Sequence, residues 1–264
     1  MAIPPFSWYG GKFRLSKRLL PHLPAHGLYV EPFAGSAALF YRKPPAEREI
    51  VNDIDYWLMC IHGSIKSGRL LPALGGSDKL TRAQWRSLRL RVVNEWRSTE
   101  AEDGATALRL ACASYSYSHW KWYSPRNGMV RSPLTSIRKR IPQAVGRAAD
   151  AELTNEDGLS LLERSLRDPR SLSFIDPPYI PNTRGGKRWG NPYIADPSFT
   201  ALRSVLTAPA PVGNAILTIG RGCSPFFAEA LSDAGWALFG TRNDFGTPQH
   251  ADHEIWVSGP GWER

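Results

Sequence analysis

The 264-residue chain has few cysteines and no long apolar run, and each shortage argues against a class of protein. Cys60, Cys112 and Cys223 are odd in number, far apart and without a CxxC pair, which argues against a disulfide framework or a zinc site. No apolar segment is long enough to cross a bilayer. The first residues also lack the basic-then-apolar pattern of a secretion signal. We therefore expect a cytoplasmic protein with reduced thiols and a sizeable core.

Positive charge is concentrated in one part of the chain. The net charge is +9, and residues 81–147 contain 13 Lys or Arg against 4 Asp or Glu, which accounts for the whole excess. Tryptophan and tyrosine residues are interleaved with these cations. A basic segment rich in aromatics favours a polyanion with stackable bases. The alternative is a solvated helical face that covers core aromatics.

Apolar segments elsewhere predict βα units, from which parallel sheets are built. Residues 28–40 fit a strand, a glycine turn and the start of a helix, and residues 49–68 repeat the pattern. The segments SLSFI and NAILTIG predict two further strands, and two C-terminal segments predict an antiparallel pair. We therefore predict an α/β, Rossmann-like sheet from residues 1–62 and 148–264. Residues 63–147 would form an inserted, mainly helical domain.

The segment SFIDPPYI carries the most specific pattern in the chain. Asp176 follows an apolar strand, and two prolines then restrict the backbone before an aromatic ring. The Asp176 carboxylate and the Pro177 carbonyl offer hydrogen-bond acceptors, and Tyr179 offers a flat face. This combination predicts a site for a planar group with an exocyclic amino group, such as a base taken out of a duplex.

Three other segments fit a nucleotide-type ligand. EPFAGSAAL places Gly35 between a strand and a helix, where the backbone can approach a ligand closely. Asp53 ends the next strand, at the spacing of a carboxylate that accepts hydrogen bonds from ribose hydroxyls. A helix cap is an equally good explanation of Asp53. In WYGGK, Lys12 can place a cation over a ligand carboxylate, or the segment is an ordinary turn.

In this order, FSWYGGK, YVEPFAGSAALF, VNDID and SFIDPPYI resemble the Dam-like, D12 class (α-group) adenine-specific DNA methyltransferases. The resemblance covers nearly the whole chain. It implies an S-adenosylmethionine-dependent methyltransferase sheet with an inserted DNA-recognition domain. It also implies methyl transfer to N6 of an adenine flipped out of double-stranded DNA. We expect no metal and no obligate protein partner.

The same resemblance assigns roles to individual residues. Catalysis is expected from Asp176, Pro177, Pro178 and Tyr179. Two positions depart from the family pattern, because Gly158 stands where an aromatic is frequent and Ala37 where a glycine is common. The expected contacts to S-adenosylmethionine come from Trp8, Lys12, Glu31, Phe33, Ala34, Gly35, Asp53, Asp157 and Asp176.

Candidate DNA contacts lie in the basic segment and in the loop after Tyr179, where a solvated loop is the alternative. Arginine pairs naturally with guanine and asparagine with adenine, and GATC is one candidate target sequence. The predicted DNA-binding residues are Arg126, Asn127, Arg131, Arg138, Lys139, Arg140, Arg184, Lys187 and Arg188.

Two other functions remain open from the sequence. N4-cytosine methylation needs the same pair of acceptors, although Asp176 at the first motif position and the order of the motifs favour adenine. A DNA-binding module with a lapsed methyltransferase site is the alternative from a different class. The presence of Asp176, Lys12 and Asp53 argues against such a module.

Overall fold

The computed structural model describes residues 3–8, 10–75, 80–114, 134–177, 196–207, 211–220, 224–241 and 253–262. Within these residues, the strands belong to a single mixed sheet. They are β1 Leu28–Glu31, β2 Arg48–Asn52, β3 Glu152–Thr154, β4 Ser171–Ile175, β5 Asn214–Gly220, β6 Ala237–Thr241 and β7 His253–Ser258. Their order across the sheet is β3-β2-β1-β4-β5-β7-β6.

The α-helices of the described residues alternate with these strands or form a separate group between β2 and β3. They are α1 Phe13–Leu19, α2 Tyr56–Lys66, α3 Leu70–Leu74, α4 Arg82–Val93, α5 Glu100–Cys112, α6 Leu134–Ala148, α7 Gly158–Leu166, α8 Asp196–Thr207 and α9 Ser224–Asp233.

The chain divides into two compact units, which we describe separately. The helical unit comprises Met1–Phe13, Gly35–Pro45 and Asp53–Asn155, and the sheet unit comprises Arg14–Ala34, Ala46–Asn52 and Glu156–Arg264. The predicted inserted domain over residues 63–147 falls inside the helical unit. Its boundaries stay a prediction.

The strands of the sheet unit confirm the predicted α/β, Rossmann-like class. β1 runs parallel to β2 and to β4, and β4 runs parallel to β5. β7 is antiparallel to β5 and to β6, so the C-terminal antiparallel pair was predicted correctly. β1 and β4 are buried at every position, as expected for parallel strands that are covered on both faces.

A large apolar cluster forms the core of the sheet unit. Leu217 from β5, Phe227 from α9 and Trp256 from β7 meet in it, together with Leu162 from α7 and Leu206 from α8. Both the strand residues and the helix residues in this cluster are almost inaccessible to solvent. The cluster therefore fixes the sheet against the three C-terminal helices, because burial of apolar area is the main driving force for packing.

In the helical unit, capping side chains determine where two of the helices begin. Thr81 caps α4, with Gln84 reaching back to the cap residue, and Thr99 caps α5 with Glu102 in the same way. Each reciprocal pair satisfies backbone N–H groups that the first helical turn leaves without partners. Both helices lie within residues 63–147, where the sequence predicts a mainly helical domain.

The segment after β1 differs from its prediction. The sequence predicts a helix start after the glycine turn, but residues 32–43 form consecutive turns without an α-helix. Gly35 and Ala37 have φ angles of 51° and 49°, in the left-handed region. A right-handed helix cannot begin across two such residues. Turn hydrogen bonds appear only later, for example from the Tyr41 N–H to the Ala37 carbonyl.

No helix in the described part of the chain is long and apolar enough to cross a membrane.

Helices α5 and α2 of the helical unit approach each other very closely at Gly104 of α5. A Cβ added there would collide with the Ser64 hydroxyl and the Cys60 carbonyl of α2. We expect Gly104→Ala to lower the free energy of unfolding by about 1–3 kcal/mol through overpacking. Urea denaturation measures this change.

Gly146 of α6 is the matched control, because a Cβ there meets nothing within 4 Å. Gly146→Ala should raise the free energy of unfolding by about 0.5–1 kcal/mol, since alanine is the better helix former. Equal effects of the two substitutions would contradict the close helix contact.

Candidate active site

In the sheet unit, two predicted site residues stand at the carboxyl ends of neighbouring strands. Glu31 is the last residue of β1, and Asp176 directly follows β4, which pairs with β1 in parallel. On the other side, β1 pairs with β2, so the strand order reverses at β1. In open α/β sheets, the crevice at such a switch point is the usual ligand site.

Asp176 is oriented by the next strand. Its Oδ1 accepts a hydrogen bond of 2.7 Å from the hydroxyl of Thr218, a buried residue of β5. Pro177, which follows, is also buried. Pro178 and Tyr179 lie outside the described residues. No local sequence signal marks Thr218, because its contact with Asp176 spans 42 positions.

Glu31 is almost completely buried. Its Oε1 accepts a hydrogen bond of 2.6 Å from the Tyr29 hydroxyl, two residues earlier on the same face of β1. A buried carboxylate needs such donors, because removal from water is costly without them. The carboxylate of Glu31 is therefore held in a fixed position beside the strand end.

The buried side chain of Asn52, at the end of β2, joins two other segments of the sheet unit. Its Nδ2 donates to the carbonyls of Pro32 and Glu156 at 2.9 and 3.1 Å. Its Oδ1 accepts from the Glu156 N–H at 2.9 Å, and its own carbonyl accepts from the Ala34 N–H at 2.8 Å. Asn52 thus fixes the turn after β1 against the segment that leads into α7. No local sequence signal marks this role of Asn52, because Glu156 is 104 positions away.

Phe33 explains one of the two departures from the family pattern. Its side chain is buried in the core cluster of the sheet unit. A Cβ added to Gly158 would lie 2.6 Å from the Phe33 ring and 2.8 Å from the Pro32 carbonyl oxygen. The Phe33 ring therefore fills the space that a side chain at position 158 would need.

Asp157 has a clear structural role. Its side chain caps α7, accepting from the Ser160 N–H at 3.0 Å and from the Ser160 hydroxyl at 2.9 Å. The carboxylate is exposed. Its predicted contact with S-adenosylmethionine stays a prediction.

In the helical unit, hydrogen bonds hold the peptide groups on both sides of Gly35. Its N–H donates to Asp53 Oδ2 at 3.0 Å, and its carbonyl accepts from His62 Nε2 at 2.9 Å. With its left-handed φ, the position favours glycine. Two predicted site residues, Gly35 and Asp53, are thus in direct contact.

Asp55, rather than Asp53, is the helix cap. Its side chain accepts from the Leu58 N–H in the first turn of α2. Asp53 instead accepts from the Asp55 N–H at 3.0 Å and from Gly35. The alternative explanation of Asp53 as a cap is therefore wrong, and the carboxylate supports the glycine turn.

His62 is a neutral, buried partner of the turn. Burial lowers its pKa to about 4. Because the Gly35 carbonyl can only accept, we assign the proton to Nε2, and the Tyr41 hydroxyl then donates to Nδ1 at 3.1 Å. The Tyr41 ring also stacks on the imidazole. Nothing in the sequence around His62 marks this role, because its partners Tyr41 and Gly35 are 21 and 27 positions away.

Trp8 and Lys12 belong to the same unit as Gly35. The Trp8 ring lies beside Gly35, where an added Cβ would be 3.6 Å from it. Lys12 is almost fully buried, and its Nζ donates to the Gly10 carbonyl at 3.0 Å. The structure thus places the Trp8 ring next to the turn that Asp53 and His62 hold.

The comparison with protein families matches residues 8–188 to the D12 class N6 adenine-specific DNA methyltransferases. This range contains every element of the candidate site except Thr218. The chain therefore belongs to this family. No curated protein sequence matches it. A solved structure similar to it is the "Putative methyltransferase yhhF from Escherichia coli", with 11% sequence identity, a TM-score of 0.36, and coverage of 93% of this chain and 82% of that chain.

Family membership makes the chain an adenine-specific DNA methyltransferase, with DNA as its substrate and a need for a methyl donor. Within the residues that the structure describes, no group of three or more His, Cys, Asp or Glu side chains is placed to hold a metal ion. The expected cytoplasmic location stays a prediction.

The predicted DNA-binding residues of this methyltransferase fall into two groups. Arg138 and Arg140, on α6, donate within the chain, to the Gly75 carbonyl at 2.7 Å and to the Pro4 carbonyl at 3.1 Å. Lys139 is exposed between them. Six residues lie outside the described ranges, namely Arg126, Asn127, Arg131, Arg184, Lys187 and Arg188.

Asp53 gives the methyltransferase a testable pH dependence. Burial raises the pKa of Asp53 from 3.8 to about 6, and repulsion from Asp55 adds to this, against opposing hydrogen bonds from backbone N–H groups. The folded state therefore retains the proton to a higher pH than the unfolded chain. This group lowers the free energy of unfolding as the pH rises from about 4 to about 6.

Asp53→Asn removes this titration. We compare the free energies of unfolding of wild type and Asp53→Asn by urea denaturation at several pH values. The wild-type value minus the variant value should decrease as the pH rises from about 4 to about 6. A difference that increases with pH would contradict the environment described for Asp53.

Proposed function

We propose that this methyltransferase transfers a methyl group from S-adenosylmethionine to N6 of an adenine flipped out of double-stranded DNA. The observation that carries the proposal is the position of Asp176 and Pro177. They follow β4 directly, beside the Glu31 end of β1, at the point where the strand order reverses. Ligands of open α/β sheets bind at that point.

The residues of the chain fit S-adenosylmethionine. Asp53 is a half-buried carboxylate of the kind that accepts hydrogen bonds from ribose hydroxyls. Gly35 has no side chain to cover the Trp8 ring. When bound, S-adenosylmethionine supplies an electrophilic methyl group on a positively charged sulfur. We assign its binding to Trp8, Lys12, Glu31, Phe33, Ala34, Gly35, Asp53, Asp157 and Asp176.

Asp176 and the carbonyl of Pro177 would accept the two hydrogens of the adenine N6 amino group. These hydrogen bonds draw the nitrogen lone pair out of conjugation with the ring and direct it towards the methyl group. Thr218 holds the carboxylate through Oδ1, so its orientation is set before the base arrives. We assign stacking on the flipped base to Tyr179.

Positive charge would grow on N6 as the new carbon–nitrogen bond forms and the bond between the methyl group and sulfur breaks. The nitrogen would then release one of its two hydrogens as a proton, which leaves neutral N6-methyladenine. A carboxylate hydrogen-bonded to that nitrogen stabilises this charge more strongly in the transition state than in the ground state. Fixed orientation of the amino group supplies the rest of the expected acceleration. No side chain needs to form a covalent bond with the substrate.

The proposal is tested with the purified chain, duplex DNA and S-adenosylmethionine labelled with tritium in its methyl group. We expect tritium in the DNA, and digestion to nucleosides should place it in N6-methyladenine. Label in N4-methylcytosine would contradict the target atom. Tight DNA binding without transfer would indicate a DNA-binding module instead.

Asp176→Ala should lower kcat by at least about 100-fold, as removal of a transition-state hydrogen-bond partner does in other enzymes. The Kd for S-adenosylmethionine, measured by calorimetry, should change by no more than a few-fold. Asp176→Asn is the matched control that keeps the size of the side chain. Wild-type turnover in Asp176→Ala would refute the assigned role.

Thr218→Val removes the hydroxyl that orients Asp176 and keeps the shape of the side chain. We expect kcat to fall about tenfold, the equivalent of one hydrogen bond of about 1.4 kcal/mol. The Kd for S-adenosylmethionine should stay unchanged, and Thr218→Ser should restore most of the activity. A decrease in kcat that serine does not restore would show that Thr218 acts through packing alone.

A further inference from the structure

One face of α4 carries three arginines. Arg82, Arg86 and Arg89 follow each other at helical spacing, and Leu90 and Val93 continue the same stripe. Arg82 and Arg86 are exposed. Within the described part of the chain, neither of these two side chains makes a hydrogen bond or an ion pair. The helix contains no acidic residue.

Other arginines of the helical unit have partners within the chain. Arg91, on another face of α4, forms an ion pair of 2.6 Å with the buried Asp103. Arg138 and Arg140, which the sequence analysis assigned to DNA, donate to backbone carbonyls. A DNA contact through these two side chains would compete with bonds that they already make. Arg82 and Arg86 face no such competition.

The cations on this stripe act against the stability of their own helix. Arg82 stands in the first turn of α4, where the helix dipole disfavours positive charge. Arg86 follows it at the i+4 position, where like charges repel. By contrast, Lys17 and Arg18 of α1 stand in the last turn, where the dipole favours them. Lys17 and Arg18 thus have a structural reason for their charge that Arg82 and Arg86 lack.

The C-terminal end of the same segment is apolar and exposed. Leu90 and Val93 are 50% and 49% accessible, and Trp96 is 61% accessible. Leu90 and Val93 lie on the same helical stripe as the exposed Arg82 and Arg86, and this combination indicates a surface that is covered when the protein acts. The charge of the stripe selects a polyanion as the partner that covers it.

We propose that α4 contacts the phosphate backbone of duplex DNA through Arg82 and Arg86. Arg89 flanks this contact. This inference rests on the proposed function, because it takes duplex DNA as the substrate. None of the DNA-binding residues predicted from the sequence lies on α4, so this phosphate contact is additional to them. Phosphates would relieve both the repulsion between the arginines and the unfavourable charge at the helix start.

The test measures binding of the full chain to a fluorescently labelled duplex at several salt concentrations. For R82Q/R86Q, the slope of log Kobs against log salt should become shallower by about 0.9 for each phosphate that the variant no longer neutralises. The affinity at low salt should fall at least tenfold. The urea midpoint of the variant should be no lower than that of wild type, because the removed charges do not stabilise α4.

R14Q/R18Q is the matched control, since it removes two exposed arginines at the same spacing from α1 of the sheet unit. Its salt slope should stay close to that of wild type. Equal changes in the two variants would overturn the proposal, because they would show a diffuse effect of net charge. An unchanged salt slope in R82Q/R86Q would also overturn the proposal. If Trp96→Ala then changes the oligomeric state, the surface binds a protein partner instead of DNA.

The proposed function would be refuted by different results from those that would overturn the contact at α4. Wild-type protein that binds the duplex but transfers no methyl group would refute the methyltransferase activity and leave the slope comparison valid. Wild-type protein that binds no duplex would overturn both proposals.

Discussion

The candidate site depends on the hydrogen bonds that the buried side-chain amide of Asn52 makes. All of its polar atoms have left water, and the Pro32, Ala34 and Glu156 backbone groups replace the hydrogen bonds to solvent. An amide in such a position strongly favours one arrangement of the three segments, because any slip leaves polar groups buried without partners. Ala34, Asn52 and Glu156 each stand one residue from a point where the chain passes between its two compact units. The residue that follows Asn52 is Asp53, which holds Gly35 and accepts from the Asn155 side chain through its carbonyl. In the sheet unit, Asn52 therefore holds the backbone at Pro32, Ala34 and Glu156. In the helical unit, Asp53 holds Gly35 and Asn155.

Much of the sheet could be predicted from the sequence because its signals are local. SLSFI and NAILTIG are apolar runs of strand length, and the structure makes them β4 and β5. Thr81 and Thr99 precede helices at the spacing of reciprocal caps. The turn after β1 was not predictable in the same way, because the left-handed conformations of Gly35 and Ala37 depend on partners 18 and 27 positions from Gly35. His62, Thr218 and Asn52 share this difficulty. Their residue types permit many roles, and only contacts distant in sequence select one.

Three aspartates that precede or begin helical segments show how the surroundings decide a role. Asp55 and Asp157 accept from N–H groups of the first turns of α2 and α7 and are ordinary caps. Asp53 stands two residues before Asp55, yet it binds the backbone of a different segment. Its raised pKa records the cost of that position, since burial and the neighbouring Asp55 both disfavour the charged form. A residue held at such a cost is a stronger candidate for ligand binding than a cap.

The distribution of charge separates two tasks that would otherwise conflict. The chain as a whole is basic, with a net charge of +9, which suits a polyanionic substrate. At the strand ends of the sheet unit, however, the charged residues of the candidate site are the acids Glu31 and Asp176. Under the proposed function, the sulfonium donor is cationic and DNA is anionic. Carboxylates at the strand ends would attract the donor and repel a phosphate group. An uncharged base would enter beside Asp176 without that electrostatic cost, which favours chemistry on the base rather than on the backbone.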